Sequence, residues 1–156
     1  MYCTVIEYGG DVLEIHDDIK RFIFGGWSKF HITQFNSDGT SVEEYYEVKH
    51  SPKNRRMYFV YARDLCEKRL YYHGYITDYP ESGISYQIAK KPKLKSMEYY
   101  NKKAIDALLW VLNHSDSLPN RVRVISDKTC ARCGRPIENE LDVTGFCPIC
   151  RGRMGI

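Results

Sequence analysis

"KFHITQFNSDGTSVEEYYEVK", from Lys29 to Lys49, carries the pattern on which the fold turns. Apolar and polar residues alternate from Lys29 to Phe35, the pattern breaks at Asn36-Ser37-Asp38-Gly39, and alternation resumes from Glu43 to Lys49. A period of two puts successive side chains on opposite faces of a strand, and the break is made of residues that favour tight turns, so the stretch reads as a β-hairpin. Downstream, Met57 to Arg63, Arg69 to Thr77 and Ile84 to Ile88 are similarly rich in Tyr, Phe, Val and Ile, with breaks at Ser51 to Asn54, Asp64 to Lys68 and Asp78 to Gly83. Short links favour antiparallel neighbours, which predicts an antiparallel sheet of about five strands in the middle of the chain.

Upstream, Tyr2 to Tyr8 reads as a short strand and Gly9-Gly10-Asp11 as a turn. A short helix follows, with Asp17 and Asp18 at its start, an apolar face of Ile15, Ile19, Phe22 and Ile23, and Gly25-Gly26 at its end. Beyond the sheet, the basic linker Lys90 to Lys95 leads into the strongest helical pattern. There Met97, Tyr100, Ala104, Ile105, Leu108, Leu109 and Leu112 recur at steps of three and four, and Ser96 is placed to cap the N-terminus. That stripe needs an apolar partner, and one face of the sheet is available. Pro119 blocks continuation of the helix, and Arg121 to Ile125 alternates as a final strand. The expected fold is α+β: residues 1–125 form the sheet with one long packed helix, and residues 126–156 form a zinc-ribbon-like module.

The module is read from "CARCGRPIENELDVTGFCPIC", Cys130 to Cys150. Cys130, Cys133, Cys147 and Cys150 form two Cys-x-x-Cys pairs, and each tight turn brings its two sulfurs to one side, so the doubled spacing supplies a tetrahedral thiolate site. Gly134 suits the positive φ such a turn requires, Gly152 is assigned the same role in the second turn, and the intervening residues are expected to form a hairpin bending at Asn139 to Asp142 or Val143 to Gly145. Zinc is the expected ion and iron the minor alternative, because the same spacing occurs in the iron knuckles of rubredoxins. With every corner filled by protein, the ion is structural, with no open position for water or substrate. Cys3 and Cys66 lie apart from the cluster and receive no role.

The chain has 156 residues, 43% hydrophobic and 28% charged, a composition that excludes wholesale disorder. Its longest apolar runs, Met57 to Ala62 and Ala107 to Leu112, are far below the ~20 residues a spanning helix needs. No secretory leader is evident at Met1 to Glu7, and a cytoplasmic location is expected. Charge is unevenly spread. Residues 1–89 hold 10 Lys and Arg against 13 Asp and Glu, whereas residues 90–156 hold 13 against 7, a mild basic bias in the C-terminal part.

No phosphate-binding loop, nucleophile elbow or paired-carboxylate signature is present, and the histidines at 16, 31, 50, 73 and 114 show no ligand spacing. Asn113-His114 invites comparison with His-Asn-His nucleases, but no His lies between the cysteine pairs. The chain is therefore read as non-enzymatic. Alternation places Tyr71, His73 and Tyr75 on one sheet face, opposite Leu70, Tyr72 and Ile76; were the helix to cover the Leu70 face, Tyr71 and Tyr75 could stack nucleic-acid bases. The plainer reading is that tyrosines suit half-buried strands. Arg132, Arg135, Arg151 and Arg153 surround the cysteines, as phosphate contacts or as solvated charges around an anionic thiolate cluster.

Phe22 to Phe30 (FIFGGWSKF), Tyr58-Phe59-Val60, Tyr71 to Ile76 (YYHGYI), Lys103 to Trp110 (KAIDALLW) and Cys130 to Arg135 (CARCGR) together resemble a family of uncharacterised phage and prophage proteins. Its members join a small β-rich region to a C-terminal Cys-x-x-Cys-Gly-Arg knuckle. They continue to a Gly-x-Gly-Pro-x-Cys element, where this chain has Gly145-Phe146-Cys147-Pro148-Ile149-Cys150, a complete second pair. The resemblance implies a phage origin and carries no activity. Two functions remain: a zinc-binding accessory protein that binds nucleic acid, or a protein-interaction module that redirects a host protein such as a polymerase or a defence component.

Overall fold

A computed structural model describes residues 13–64, 70–88, 95–138 and 143–156. The elements, in chain order, are β1 (Leu13–Glu14), α1 (Ile19–Ile23), β2 (Trp27–Phe35), β3 (Ser41–His50), β4 (Met57–Asp64), β5 (Tyr71–Tyr79), β6 (Gly83–Ile88), α2 (Lys95–Asn113), β7 (Val122–Ser126) and α3 (Pro148–Met154). Among the described residues the protein is α+β, with three helices and one seven-stranded antiparallel sheet in the order β1-β7-β2-β3-β4-β5-β6. The Tyr2 to Tyr8 strand, the linker at 90–94, Cys3, Cys66 and most of the Asp64 to Lys68 turn lie outside the described residues.

The strand count corrects the expected five. β2 to β6 form the meander, and β2 and β3 pair in register from Trp27↔Lys49 to Phe35↔Ser41 around the Asn36 turn. The additional strands cover the free edge of β2. After α2 the chain returns as β7, which pairs with β2 from Phe30↔Ser126 to Gln34↔Val122, and β1 then pairs with β7. Alternation identifies β7 as a strand but says nothing about which edge it joins, and a two-residue β1 is too short to have a period.

One face of the sheet holds the core. Phe30, Tyr46, Val48, Val60, Ala62 and Ile76 share a buried cluster with Ala104, Ile105, Leu108, Val111 and Leu112 of α2. The side chains of Ser96, Met97 and Tyr100 are outside the described set. Tyr46 is fully buried, and its hydroxyl donates to the Ala104 carbonyl at 2.7 Å, which offsets the cost of taking a phenol out of water. At the other end α1 buries Ile19, Phe22 and Ile23, with Asp18 accepting from the Arg21 N–H as N-cap. Phe22 meets Phe30 edge-on with centroids 5.8 Å apart, and Ser28 Oγ donates to the Ile23 carbonyl at 2.8 Å.

The face grouping expected for β5 is corrected by a β-bulge. Pairing runs Val60↔Gly74 and then Tyr61↔Tyr72, so His73 is the extra residue, and alternation is reset there. Gly74 has a φ of 126°, accessible to glycine without strain. His73 is fully buried and its Nε2 donates to the Ala62 carbonyl at 3.2 Å. Beyond the bulge Tyr71 pairs with core-facing Ala62, whereas Tyr72 pairs with Tyr61 on the opposite face, where Tyr75 also lies opposite Phe59.

Candidate metal centre and the sheet face beside it

The first cysteine pair is shaped by backbone hydrogen bonds. The Cys130 N–H donates to the Arg135 carbonyl at 2.7 Å and the Gly134 N–H to the Cys130 carbonyl at 2.9 Å, with Gly134 at the expected positive φ of 77°. The second pair differs from the turn expected for it. Cys147 is the N-cap of α3, Pro148 occupies the first turn, and Cys150 lies inside the helix, where Pro is tolerated because its missing N–H would have no intrahelical partner. Gly152 is therefore helical, and the positive-φ glycine is Gly155, the C-cap at 73°. Residues 139–142 of the proposed bend lie outside the described residues.

Turn and helix bring the four sulfurs of Cys130, Cys133, Cys147 and Cys150 within 4.8 Å of one another. Sulfurs at the corners of a tetrahedron around a metal bonded at ~2.3 Å stand about 3.8 Å apart, and Cys133 Sγ lies 3.6 Å from Cys147 Sγ. The donor set thus fits a tetrathiolate ion. Its electrostatics point the same way. The Cys150 N–H hydrogen-bonds Cys147 and brings its thiol down to about 7, whereas burial and the neighbouring sulfurs push the Cys150 thiol up to about 12. Four thiols this close ionise together only around a cation. Cys130, Cys147 and Cys150 are buried and Cys133 is exposed.

The centre is tied into the main core. Phe146 packs edge-on against Phe22 at 6.5 Å, the Ala131 N–H donates to the Gly145 carbonyl at 3.0 Å, and His16 and Asp17 both donate to the Val143 carbonyl at 3.2 Å. Cys130, Ala131, Phe146, Cys147 and Cys150 share one hydrophobic cluster with Phe30 and Val124, so packing continues across the 125/126 boundary. Close approach depends on glycine: a Cβ on Gly145, at φ 79°, would overlap the Phe22 ring, and one on Gly25 would sit 2.7 Å from Phe146.

From this junction a mixed row of rings and cations crosses the sheet face that lies opposite the core. The Trp27 N–H donates to the Ala131 carbonyl at 2.6 Å, which fixes the start of β2 against the first cysteine turn. Cross-strand pairing then gives one row of Trp27, Lys49, Phe59 and Tyr75, and a second of Lys29, Glu47, Tyr61 and Tyr72. Lys49 Nζ lies 4.2 Å from the Trp27 ring centroid and 5.5 Å from that of Tyr61, and Lys29 Nζ lies 4.4 Å from Trp27. Glu47 Oε1 accepts from the indole Nε1–H at 2.8 Å. Trp27 and Tyr72 are 43% and 42% exposed, large fractions for such rings.

The expected site residues are thus distributed unequally. Arg132, Arg135 and Arg153 are exposed around the cysteines, and Arg151 is half-buried. The Cα of Arg132 would lie 3.5 Å from a Cβ on Gly26, next to Trp27. Tyr75 is half-exposed on the row face, whereas Tyr71 registers with the core face. Tyr72, Trp27, Lys29, Lys49, Phe59 and Tyr61 were not singled out by sequence, because the grouping exists only once cross-strand register is known. The histidines take separate places: His31 faces Asp127 at 3.6 Å, His50 bonds the Arg55 carbonyl, and His114 stacks on Trp110. Among the described residues no helix is long and apolar enough to cross a membrane. Compared with protein-family models, curated proteins and solved structures, the chain finds no match.

Proposed function

We propose that this chain is a non-enzymatic, zinc-binding protein that binds nucleic acid, with the ion setting the position of the contact surface. The observation that carries the reading is the junction at Ala131: the turn bearing exposed Arg132 is bonded directly to Trp27, at the start of the strand from which the rows carrying Lys49 and Lys29 run. Cations from two parts of the sequence are thereby held on bonded, adjacent elements, with Arg132 beside Lys20 and Arg21 at the α1 side of the junction. Zinc suits the closely clustered, sulfur-only donor set, and its chemistry in a closed site is to bind four thiolates and hold the segments that carry them. Arg132 and Arg135 then stand on a turn that cannot drift from β2.

Phosphate contacts release counterions, so affinity should fall linearly on a log scale with salt. Fluorescence anisotropy of labelled oligonucleotides with the zinc-loaded protein, measured across a salt series, tests the reading. The expected result is binding at low salt that weakens steeply, with Arg132→Glu combined with Lys49→Glu reducing affinity by about tenfold or more. No binding to any oligonucleotide at low salt would defeat it and leave the same surface as a protein-contact face. Metal analysis should find one zinc per chain.

A further inference from the structure

We infer that the ligand of this face is single-stranded nucleic acid, held by stacking its bases on the rings of the two cross-strand rows. This rests on the nucleic-acid reading above and names the form of the ligand. Cations alone would suit duplex and single strand alike; the rings separate them. Trp27, Phe59, Tyr61, Tyr72 and Tyr75 share a face with Lys49 in their midst, and Tyr72 meets Tyr61 at 5.5 Å and Phe59 at 6.3 Å between centroids. A duplex keeps its bases stacked on each other and presents phosphates outward, so these rings would contribute little to it. An unpaired strand offers base faces and phosphates together.

Two comparisons of magnitude favour this occupant. Lysines already lie over Trp27 and Tyr61, and an exposed cation–π contact is weaker than the stacking of a base on an aromatic ring. A base therefore displaces the ammonium from the ring, and Lys49 is released toward the adjacent phosphate. The rows are two residues apart along the strands, about 6.8 Å at the usual rise. That is twice the ~3.4 Å step per nucleotide along one strand of a stacked duplex, so a strand drawn out until its bases separate can place one base on each row. Glu47 opposes phosphate in the same row as Lys29, but its carboxylate is engaged with the indole N–H and holds that ring in place.

The test uses the full zinc-loaded chain with oligothymidylate, oligouridylate and a duplex of equal length. In a Trp110→Phe background Trp27 is the sole indole, and its fluorescence should be quenched by both single strands. Single strands should bind at least tenfold more tightly than the duplex. Tyr72→Ala should weaken single-strand binding by about fivefold to a hundredfold without changing the salt slope, and Tyr72→Phe should retain it; Lys49→Ala should lower the slope by about 0.7. Equal affinity for duplex, a steep salt slope and indifference to Tyr72→Ala would overturn the stacking inference while preserving the broader function. Absence of binding to every oligonucleotide at low salt would overturn both. Preference between the two single strands would assign the ligand to DNA or RNA.

Discussion

Tyr46 and Tyr72 lie on opposite faces of one sheet and put the same side chain to opposite uses. Tyr46 is sealed beneath α2, stacked on Phe30 with centroids 5.5 Å apart, and its hydroxyl is spent on a helix carbonyl. Tyr72 is 42% exposed among other rings and lysines. Burial pushes the phenol of both upward, more strongly for Tyr46. Thirteen tyrosines in 156 residues therefore do not form one functional class. What separates them is the face, and the face is set by register and by the bulge at His73.

The perturbation expected to cross from one face to the other is loss of the metal, because Phe146 reaches the core while Ala131 holds Trp27. Structural zinc sites in small modules contribute on the order of 10 kcal/mol of coupled folding free energy. Chelation, or Cys133→Ser, should strip amide-exchange protection from residues 129–138 and 143–151, leave β3 to β5 protected, and shift Trp27 emission in the Trp110→Phe background. An unchanged indole spectrum would break the link between the centre and the outer row.

A smaller effect should stay on the core face. Leu108 is fully buried beneath the sheet, and Leu108→Ala should cost about 2–5 kcal/mol in denaturant unfolding, whereas Tyr72→Ala should cost under about 1 kcal/mol while weakening oligonucleotide binding. This pair inverts stability and binding across the two faces. A large loss of stability in Tyr72→Ala would make its ring structural. At the joint between module and sheet, Gly145→Ala combines a positive φ with overlap on Phe22, and should lower stability by about 2–4 kcal/mol. Thermal melts comparing it with Gly134→Ala, whose added Cβ meets nothing within 4 Å, separate the packing cost from the conformational one.

The sequence exposes some of this architecture and hides the rest for definite reasons. The Lys29 to Lys49 hairpin is legible because its alternation and its turn residues are local, and both halves fall where expected. The cysteine cluster is legible because Cys-x-x-Cys spacing encodes a local geometry. The pairing of β7 with β2 is not, since it is a contact between remote segments, and neither is the bulge, since Tyr71-Tyr72-His73-Gly74-Tyr75 has an unbroken polar and aromatic character that conceals one reset of phase. For the site, that single reset exchanges Tyr71 for Tyr72. The second cysteine pair likewise opens a helix because Pro148 can start one, a use of Pro that Cys-Pro-x-Cys leaves undecided.

The outer face itself is divided, and its closed end supplies the smallest and most specific test. Beyond the ring rows, Thr33, Tyr45 and Ile125 are buried, and Glu43 lies across from Thr33 with its Oε1 buried and without a hydrogen-bond partner among the described residues. Burial raises the Glu43 carboxyl from 4.5 to about 7. Between those values the folded protein holds a proton that the unfolded chain has released, so stability falls as pH rises, and the full penalty of a desolvated carboxylate is present above about 7. The group is only half-buried, and solvent screening keeps the effect well below that of a sealed carboxylate. Glu43→Gln should accordingly match the parent near pH 4.5 and gain relative stability as pH rises toward 8, read as diverging urea midpoints. Parallel midpoints across that range would place Glu43 in the open, solvated part of the face, and the boundary between the closed end and the ring rows would have to move beyond it.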